Sequence, residues 1–175
     1  MAEVRGLFYN LTIKLIVMPF VKIWIHCVWG TKKRIPFLVS EKRKKVIEHI
    51  ILNAREKGIV IDTLNGYSDH LHCLISLGAT QTLAEVLRLI KGEASFWINK
   101  EKLTPYKFKW AEEYYAVSVS DSGIRNVRKY IYTQEEHHRK KTWEDEQNDF
   151  ILKYGFEMFS DKQTPDFSPG FLPRG

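Results

Sequence analysis

The segment SDHLHCLISL, residues 68–77, carries two histidines two positions apart at the start of an apolar run. If the segment forms a β-strand, alternate side chains lie on opposite faces of the sheet. One face is then apolar and contains Leu71, Cys73, Ile75 and Leu77. The other face begins with the neighbouring imidazoles of His70 and His72. This pattern has two interpretations: a solvated strand end without chemistry, or two ligands of a metal ion that needs a third.

The segments on either side predict an α+β fold. Residues 22–30 and 112–120 are rich in β-branched and aromatic residues, which favour strands. Residues 58–77 contain two strands separated by a turn that includes an Asn-Gly pair. Three helices are predicted from apolar residues at helical spacing. The order βαββαβα matches a ferredoxin-like or RRM-like antiparallel sheet with its first two helices on one face.

Capping residues and glycines set the expected helix ends. Ser40 is expected to cap the first helix, and Gly58 to end it. The second helix begins at Gln81 or Thr82. Ser122 is expected to cap a long third helix. Because the first two helices cover the apolar face, only the third helix is left to lie against the face that bears the histidines.

The third helix supplies chemistry that matches this face. At 100° per residue, one narrow stripe contains Asn126, Tyr130, Gln134 and His137. The adjacent apolar stripe contains Ile124, Val127 and Ile131. Tyr132 lies roughly 160° around the helix from Gln134, so only Tyr130 shares the glutamine's face.

These residue types favour phosphoryl chemistry. A tyrosine hydroxyl can attack phosphorus, and a carboxamide oxygen is a suitable third ligand beside two imidazoles for a divalent ion that polarises a phosphate. The alternative is an amphipathic helix whose polar residues only mark its boundary. The His70-x-His72 pair on a bare sheet face favours the chemical interpretation.

Composition fits a single cytoplasmic domain with a basic excess. The chain has 175 residues, of which 44% are hydrophobic, and 27 Lys+Arg against 21 Asp+Glu give a net charge of +6. This charge is compatible with a polyanionic partner. Cys27 and Cys73 stand alone in apolar runs, which indicates buried free thiols in a reducing cytosol.

The two ends of the chain differ from its middle. Residues 1–17 form an N-terminal extension that is too short and too polar for a membrane span. Either translation starts at Met18, or the extension is an extra strand or arm at the edge of the domain. Residues 156–175 are rich in Pro, Gly and Ser and predict a loosely held tail. The predicted domain therefore covers residues 18–155, and no membrane association is expected.

Four segments in a fixed order resemble a known family. They are VWGTKKRIPFL after the first strand, DHLHCLISL, LRLIKGEASFWIN on the second helix, and VRKYIYTQEEHHRKK with its Tyr-x3-Gln spacing. From about Met18 to about Phe150 the chain resembles the single-tyrosine HUH transposases of TnpA type, encoded by the smallest bacterial insertion sequences, the IS200-like elements. The related REP-associated tyrosine transposases usually have Asn-Pro where this chain has Thr133-Gln134.

The resemblance implies a complete reaction. Tyr130 is then the nucleophile, and His70, His72 and Gln134 hold Mg²⁺ or Mn²⁺. The substrate is single-stranded DNA with hairpin ends, which is cut through a 5′-phosphotyrosine intermediate and rejoined by a 3′-OH. The working unit is a homodimer whose active sites are shared in trans, in the bacterial cytoplasm and on the nucleoid when DNA is bound.

Basic residues near the motifs are candidates for contacts to phosphates. The predicted DNA-binding residues are Lys32, Lys33, Arg34, Arg88, Lys91, Arg139 and Lys140. Each one taken alone is more often a solvated charge than a contact. Pairing of sheet edges is expected to contribute to the dimer, most simply through the first strand around Trp24 to Val28.

Two other functions fit parts of the pattern. An RNA-binding module of RRM type shares the fold, but no strand here has the Gly-and-aromatic signature of that module. A metal-dependent phosphoesterase would use the same ligands with water as the nucleophile. A covalent protein–DNA adduct distinguishes the transposase from both.

Overall fold

The computed structural model describes residues 20–138, together with residues 145 and 148. The strands are β1 (Ile23–Gly30), β2 (Val60–Gly66), β3 (His70–Leu77) and β4 (Tyr115–Val119), and the helices are α1 (Ser40–Glu56), α2 (Leu83–Lys100), α3 (Ile124–Tyr132) and α4 (Gln134–His137). The predicted extension 1–17 and tail 156–175 lie outside the described residues. The division of the chain at these points therefore stays a prediction.

The four strands form one antiparallel sheet in the order β2-β3-β1-β4. This is the predicted ferredoxin-like arrangement. It also shows that the expected role of β1 as a dimerising edge is wrong, because β1 is an interior strand that is paired on both sides. Cys27 pairs with Cys73 of β3 on one side and with Ala116 of β4 on the other. The backbone groups of β1 are thus already used, and the sheet edges are β2 and β4.

Helices α1 and α2 cover the predicted apolar face. Leu71, Cys73 and Ile75 of β3 have no exposed surface, and they share one core with the buried sides of both helices. That core includes Val46, Ile50, Ala54, Val86, Leu87, Ile90, Ala94 and Ile98. Cys27 and Cys73 are buried free thiols, as predicted. Burial raises the pKa of Cys27 to about 12, so its thiol stays protonated.

Helix α3 lies on the other face. Its Ile124 and Ile131 pack with Leu74 of β3 in a small second core. Val127 packs against this core too, which confirms the predicted apolar stripe. The histidine-bearing face of the sheet is therefore closed by the helix that carries the tyrosines.

The structure corrects two predictions about the helices. Ser40 is the first residue of α1 and not its cap, since the cap position is Val39. The predicted long third helix begins with a separate 3₁₀ turn at Asp121–Gly123 and is broken at Thr133. The Thr133 hydroxyl donates to the carbonyl of Lys129 at 3.0 Å, and such back-bonding competes with regular helix geometry.

The predicted Asn-Gly turn is also displaced, because Asn65 and Gly66 are the last residues of β2. A Cβ on Gly66 would lie 2.1 Å from the carbonyl oxygen of His70. Glycine is therefore needed here so that β2 can approach the start of β3. By contrast, Thr82 caps α2 as predicted, with its hydroxyl accepting from the backbone N–H of Glu85 at 3.3 Å.

Over the described part of the chain, no helix combines the length and the apolar character that crossing a membrane requires.

Candidate metal and nucleophile site

His70 and His72 are fully buried at the start of β3, on the face that α3 covers. Their ring centroids are 5.1 Å apart and their planes are nearly perpendicular, at 74°. Nδ1 of His70 lies 2.7 Å from a carboxylate oxygen of Asp69. Because that carboxylate is an acceptor, Nδ1 carries the hydrogen and Nε2 presents its lone pair, which is the usual arrangement of a metal-binding histidine.

The carboxylate of Asp69 is held in place by an ion pair with Arg34. Arg34 Nη2 lies 2.7 Å from its second carboxylate oxygen and 3.2 Å from Nδ1 of His70. Burial alone raises the pKa of Asp69. The hydrogen bond with His70 and the positive charges of the site outweigh burial and hold this pKa below its ordinary value. Asp69 is therefore ionised at neutral pH and fixes the His70 ring.

His72 has a partner on the neighbouring strand β1. Its Nδ1 lies 3.2 Å from Nε2 of His26, which is only 2% exposed. His26 is not among the residues predicted for the site from the sequence. Alternation along β1 places it on the face opposite Ile25 and Cys27, so the signal was present in the strand pattern. With Nδ1 of His72 occupied by His26, Nε2 is the atom that remains for a ligand role.

Tyr130 lies directly against this pair. Its ring meets His72 edge-on at a centroid distance of 5.5 Å and His26 at 6.0 Å. Tyr132, two residues later, is 67% exposed. The helical phase predicted this divergence of the two tyrosines.

Gln134 follows the break at Thr133 and is fully buried. Its side-chain nitrogen donates to the carbonyl of Tyr130 at 3.4 Å. Its Oε1 atom is buried and has no hydrogen-bond partner among the described residues. A buried amide oxygen normally has a partner, so this oxygen fits the role of a metal ligand that the sequence assigned to it.

His138 completes a cluster of three histidines. Its Nε2 lies 2.9 Å from Nε2 of His70, and its ring stacks on Tyr67 at 4.8 Å. One nitrogen from each of His70, His72 and His138 lies within 4.8 Å of the others. A continuous helical phase predicts His137, and not His138, on the stripe of Tyr130 and Gln134. Because the helix is broken at Thr133, a continuous helical phase does not predict which residues beyond it face the site. The side chain of His137 is not among those described.

Nitrogen and oxygen donors of this kind suit a divalent metal ion. Neutral imidazoles bind transition metals, and a carboxamide oxygen also binds harder ions such as Mg²⁺. One nitrogen from each of three histidines lies within 4.8 Å of the others, and the buried, orphaned oxygen of Gln134 belongs to the residue that immediately follows the break in the helix. The site therefore fits a divalent ion.

The predicted DNA-binding residues fall in different places. Lys32 and Lys33 are exposed on the 3₁₀ turn Lys32–Arg34 that follows β1, whereas Arg34 turns inward to Asp69. Arg88 and Lys91 lie on α2, which packs on the opposite face of the sheet from the histidines.

Two of these cations already have protein partners. Arg88 forms an ion pair with Glu85 at 2.6 Å, and Lys91 donates to the carbonyl of Glu112 at 3.0 Å. Both line a cavity of about 540 Å³ together with Trp110. Arg139 and Lys140 lie outside the described residues.

Three polar contacts fasten α3 and α4 over the site. Arg128 forms two hydrogen bonds with Asp62 of β2, at 2.8 and 2.5 Å. The amide of Asn65 donates to the carbonyl of Ile131 at 3.1 Å. Arg43 of α1 is paired with Glu135. Within one chain, these contacts hold Tyr130 next to that chain's own His72.

Residues 19–134 match the model of a family described as IS200-like transposases. The chain is 26% identical over 115 residues to the ISDra2 transposase TnpA of Deinococcus radiodurans, a match that covers 62% of this chain and 81% of that protein. A crystal structure from Deinococcus radiodurans R1, whose protein is described as a transposase, superposes with a TM-score of 0.52 and 21% identity over 66% of this chain and 93% of that one. A REP-associated tyrosine transposase bound to a REP hairpin gives a TM-score of 0.54 and 16% identity over 69% and 71%.

Proposed function

Because the chain belongs to the IS200-like transposase family, its activity is DNA transposition, and we propose that it cleaves and rejoins single-stranded DNA at insertion-sequence ends through a 5′-phosphotyrosine intermediate. The observation that carries this proposal is the position of Tyr130, whose ring lies 5.5 Å from that of His72 beside the histidine cluster. A nucleophile next to metal-binding residues is what attack on a phosphodiester requires.

The proposed reaction conserves the phosphodiester. The Tyr130 oxygen attacks phosphorus, and the bond from phosphorus to the 3′ oxygen breaks. The phenolic proton passes to solvent and the departing oxygen takes up a proton, which leaves a free 3′-OH. In strand transfer, another 3′-OH attacks the phosphotyrosine and releases Tyr130, so the cycle needs neither hydrolysis nor ATP.

His70, His72 and Gln134 are the proposed ligands of Mg²⁺ or Mn²⁺. When bound, such an ion polarises the scissile phosphate and stabilises its developing charge. The protein's own contribution is orientation. Asp69 fixes the ring of His70 at 2.7 Å, and His26 lies 3.2 Å from Nδ1 of His72. Both ligand rings are thereby held in one orientation.

Single-stranded DNA with hairpin ends is the proposed partner. One structural relative is a tyrosine transposase bound to a REP hairpin, which supports a hairpin substrate. Lys32 and Lys33 are exposed next to the site, directly before Arg34, and are the strongest candidates for phosphate contacts. While bound to such DNA, the protein would be associated with the nucleoid of a bacterial cell.

A homodimer that shares its active sites in trans is part of the proposal. In it, α3 of one chain would take the place beside the partner's histidines that α3 has beside its own histidines in the structure. The break at Thr133 and the 3₁₀ turn ending at Gly123 flank α3, and changes at these two points would let the helix reach a second chain. The test is to mix inactive Tyr130→Phe protein with inactive His70→Ala, His72→Ala protein and allow subunits to exchange. Restored cleavage supports sharing, whereas proven heterodimers that stay inactive reject it.

A denaturing gel tests the reaction itself. With single-stranded DNA and Mn²⁺, the wild-type protein should shift to a covalent adduct, and Tyr130→Phe should abolish the shift. Tyr132→Phe is the matched control and should retain it, because Tyr132 faces solvent. Cut DNA without an adduct would indicate a phosphoesterase, and binding without cleavage would indicate a nucleic-acid-binding module. Equal adduct from Tyr130→Phe rejects the assignment of the nucleophile.

A further inference from the structure

We propose that His138 is a direct ligand of the divalent ion, so that three imidazoles and Gln134 hold it and the site prefers Mn²⁺ over Mg²⁺. This inference rests on the proposed function only in taking the histidine cluster as the metal site. It adds a residue that neither the strand motif nor the Tyr-x3-Gln spacing identifies.

The distance between the two nitrogens carries the proposal. Nε2 of His138 and Nε2 of His70 are 2.9 Å apart. Two ligand atoms at right angles, each about 2.1 Å from one ion, are separated by about 3.0 Å. In the absence of metal, one hydrogen atom can bridge these nitrogens. An ion that replaces this hydrogen would be coordinated by both.

The backbone brings Gln134 and His138 to the site from the same side. The N–H of His138 donates to the carbonyl of Gln134 at 3.0 Å, which closes one helical turn. Residues four apart in such a turn project from the same side. The side chains of Gln134 and His138 therefore leave this turn on the same side, although α3 itself has ended at Tyr132.

A stacking partner fixes the imidazole of His138. Its ring lies over Tyr67 at a centroid distance of 4.8 Å and an interplanar angle of 19°. Tyr67 is in the turn just before β3, and its N–H donates to the carbonyl of His70 at 3.0 Å. The residue that supports His138 is thus attached to the strand that supplies the other ligands.

The donor set determines the preferred metal. Mg²⁺ takes oxygen ligands and binds few imidazoles, whereas transition ions accept nitrogen readily. Three imidazoles with one carboxamide oxygen therefore favour Mn²⁺ over Mg²⁺. Two imidazoles with one such oxygen distinguish the two ions less strongly.

The test measures metal binding without DNA. Mn²⁺ affinity and nitrogen couplings are recorded by electron paramagnetic resonance for the wild type, His138→Ala and His138→Phe. The phenylalanine variant keeps an aromatic ring on Tyr67 but removes the nitrogen. Both variants should bind Mn²⁺ at least roughly 10- to 100-fold more weakly than the wild type. Loss of a residue that only supports a metal ligand already lowers metal affinity by this factor. The spectra should show one coupled imidazole fewer.

His49→Ala is the matched control, since it removes the same group from α1, which lies on the opposite face of the sheet from the site. It should retain wild-type affinity and couplings. Adduct formation then provides a separate readout, in which both His138 variants should give a higher yield in Mg²⁺ relative to Mn²⁺ than the wild type does. Circular dichroism shows that the variants compared are folded.

Several results overturn the inference. They are unchanged Mn²⁺ affinity in both His138 variants, an equal loss of affinity in His49→Ala, and wild-type spectra that show no nitrogen couplings. The proposed reaction fails separately: a wild type that binds Mn²⁺ through three imidazoles but forms no adduct rejects the reaction and keeps the ligand. Full adduct formation with unchanged metal affinity in His138→Ala rejects the ligand and keeps the reaction.

Discussion

The two faces of the sheet differ in what they bury. The face under α1 and α2 buries a large apolar core, in which residues such as Leu71 and Ile75 have no exposed surface. The face under α3 has only a small apolar cluster and surrounds it with buried polar side chains, including His26, His72 and Gln134. Apolar burial stabilises a fold, whereas buried polar groups contribute little net stability and need partners. One face therefore maintains the fold and the other positions reactive groups.

The contrast exists within a single strand. His72 and Cys73 are adjacent in β3, yet one faces Tyr130 and the other faces the core of α1 and α2. Substitutions at alternating positions should thus have separate effects. Those on the α3 face should change the reaction, and those on the other face should change stability.

The largest expected effect comes from the histidine pair. Replacing either His70 or His72 by Ala should remove metal binding and cleavage together, with adduct formation reduced by at least about 100-fold, since loss of a residue that merely supports a ligand already costs 10- to 100-fold. Adduct gels and Mn²⁺ titration measure both quantities. Full-rate cleavage by the double variant in EDTA would show that the site has been misassigned.

The second largest effect is expected from a substitution on the face of the sheet that α1 and α2 cover. Ile75→Ala should lower the free energy of unfolding by about 2–5 kcal/mol, because it leaves a cavity in the main core. The folded fraction should still form the adduct at the normal rate. Urea unfolding measures the stability loss, and adduct yield per folded molecule measures the reaction. A loss of adduct formation in fully folded Ile75→Ala protein would mean that the two faces are not independent.

Gln134→Leu should separate the stability of the fold from metal binding at a single residue. The substitution removes a buried oxygen that has no partner among the described residues, and leaving such an atom unpaired costs about 1–3 kcal/mol. The metal-free variant should therefore be as stable as the wild type or more so, although it loses the 3.4 Å bond to Tyr130. Its Mn²⁺ affinity should fall by about tenfold.

Thermal unfolding with and without Mn²⁺ measures both effects of this change. A variant that is destabilised without metal and binds Mn²⁺ normally would show that Gln134 has a structural role only.

The difference between the two faces of the sheet was largely predictable from the sequence, because the alternation of side chains along a strand is a local property. The apolar run of β3 predicted which face the first two helices cover, and the apolar stripe of α3 predicted its docking. The strand order could not be obtained this way. It depends on pairings between distant segments, such as Cys27 with Ala116, and the expectation that β1 is an edge was wrong for that reason.

The site was partly predictable for the same reason. His70, His72 and Tyr130 are placed by regular strands and a regular helix, and the structure brings them together. His138 follows a break that a threonine hydroxyl promotes, so extrapolation of the helical phase failed beyond Thr133. Arg34 was interpreted as a DNA contact, yet it turns inward to Asp69, because its φ of 57° belongs to a left-handed turn that sequence periodicity does not reveal.

The smallest expected effect concerns the attachment of α3 to β2. Hydrogen bonds from Arg128 lower the pKa of Asp62 below its ordinary value. A lowered folded-state pKa means that the stabilisation is complete above the unfolded pKa of about 3.9 and is lost as the pH falls through the folded value. Arg128→Ala should therefore lower the free energy of unfolding only slightly at neutral pH, since the arginine is half exposed and exposed ion pairs contribute little. The difference from wild type should vanish in acid below both pKa values. Urea unfolding at both pH values measures it, with Arg125→Ala, an exposed arginine of the same helix, as the control. A deficit that persists unchanged in acid would show that Arg128 stabilises the helix by packing and not through Asp62.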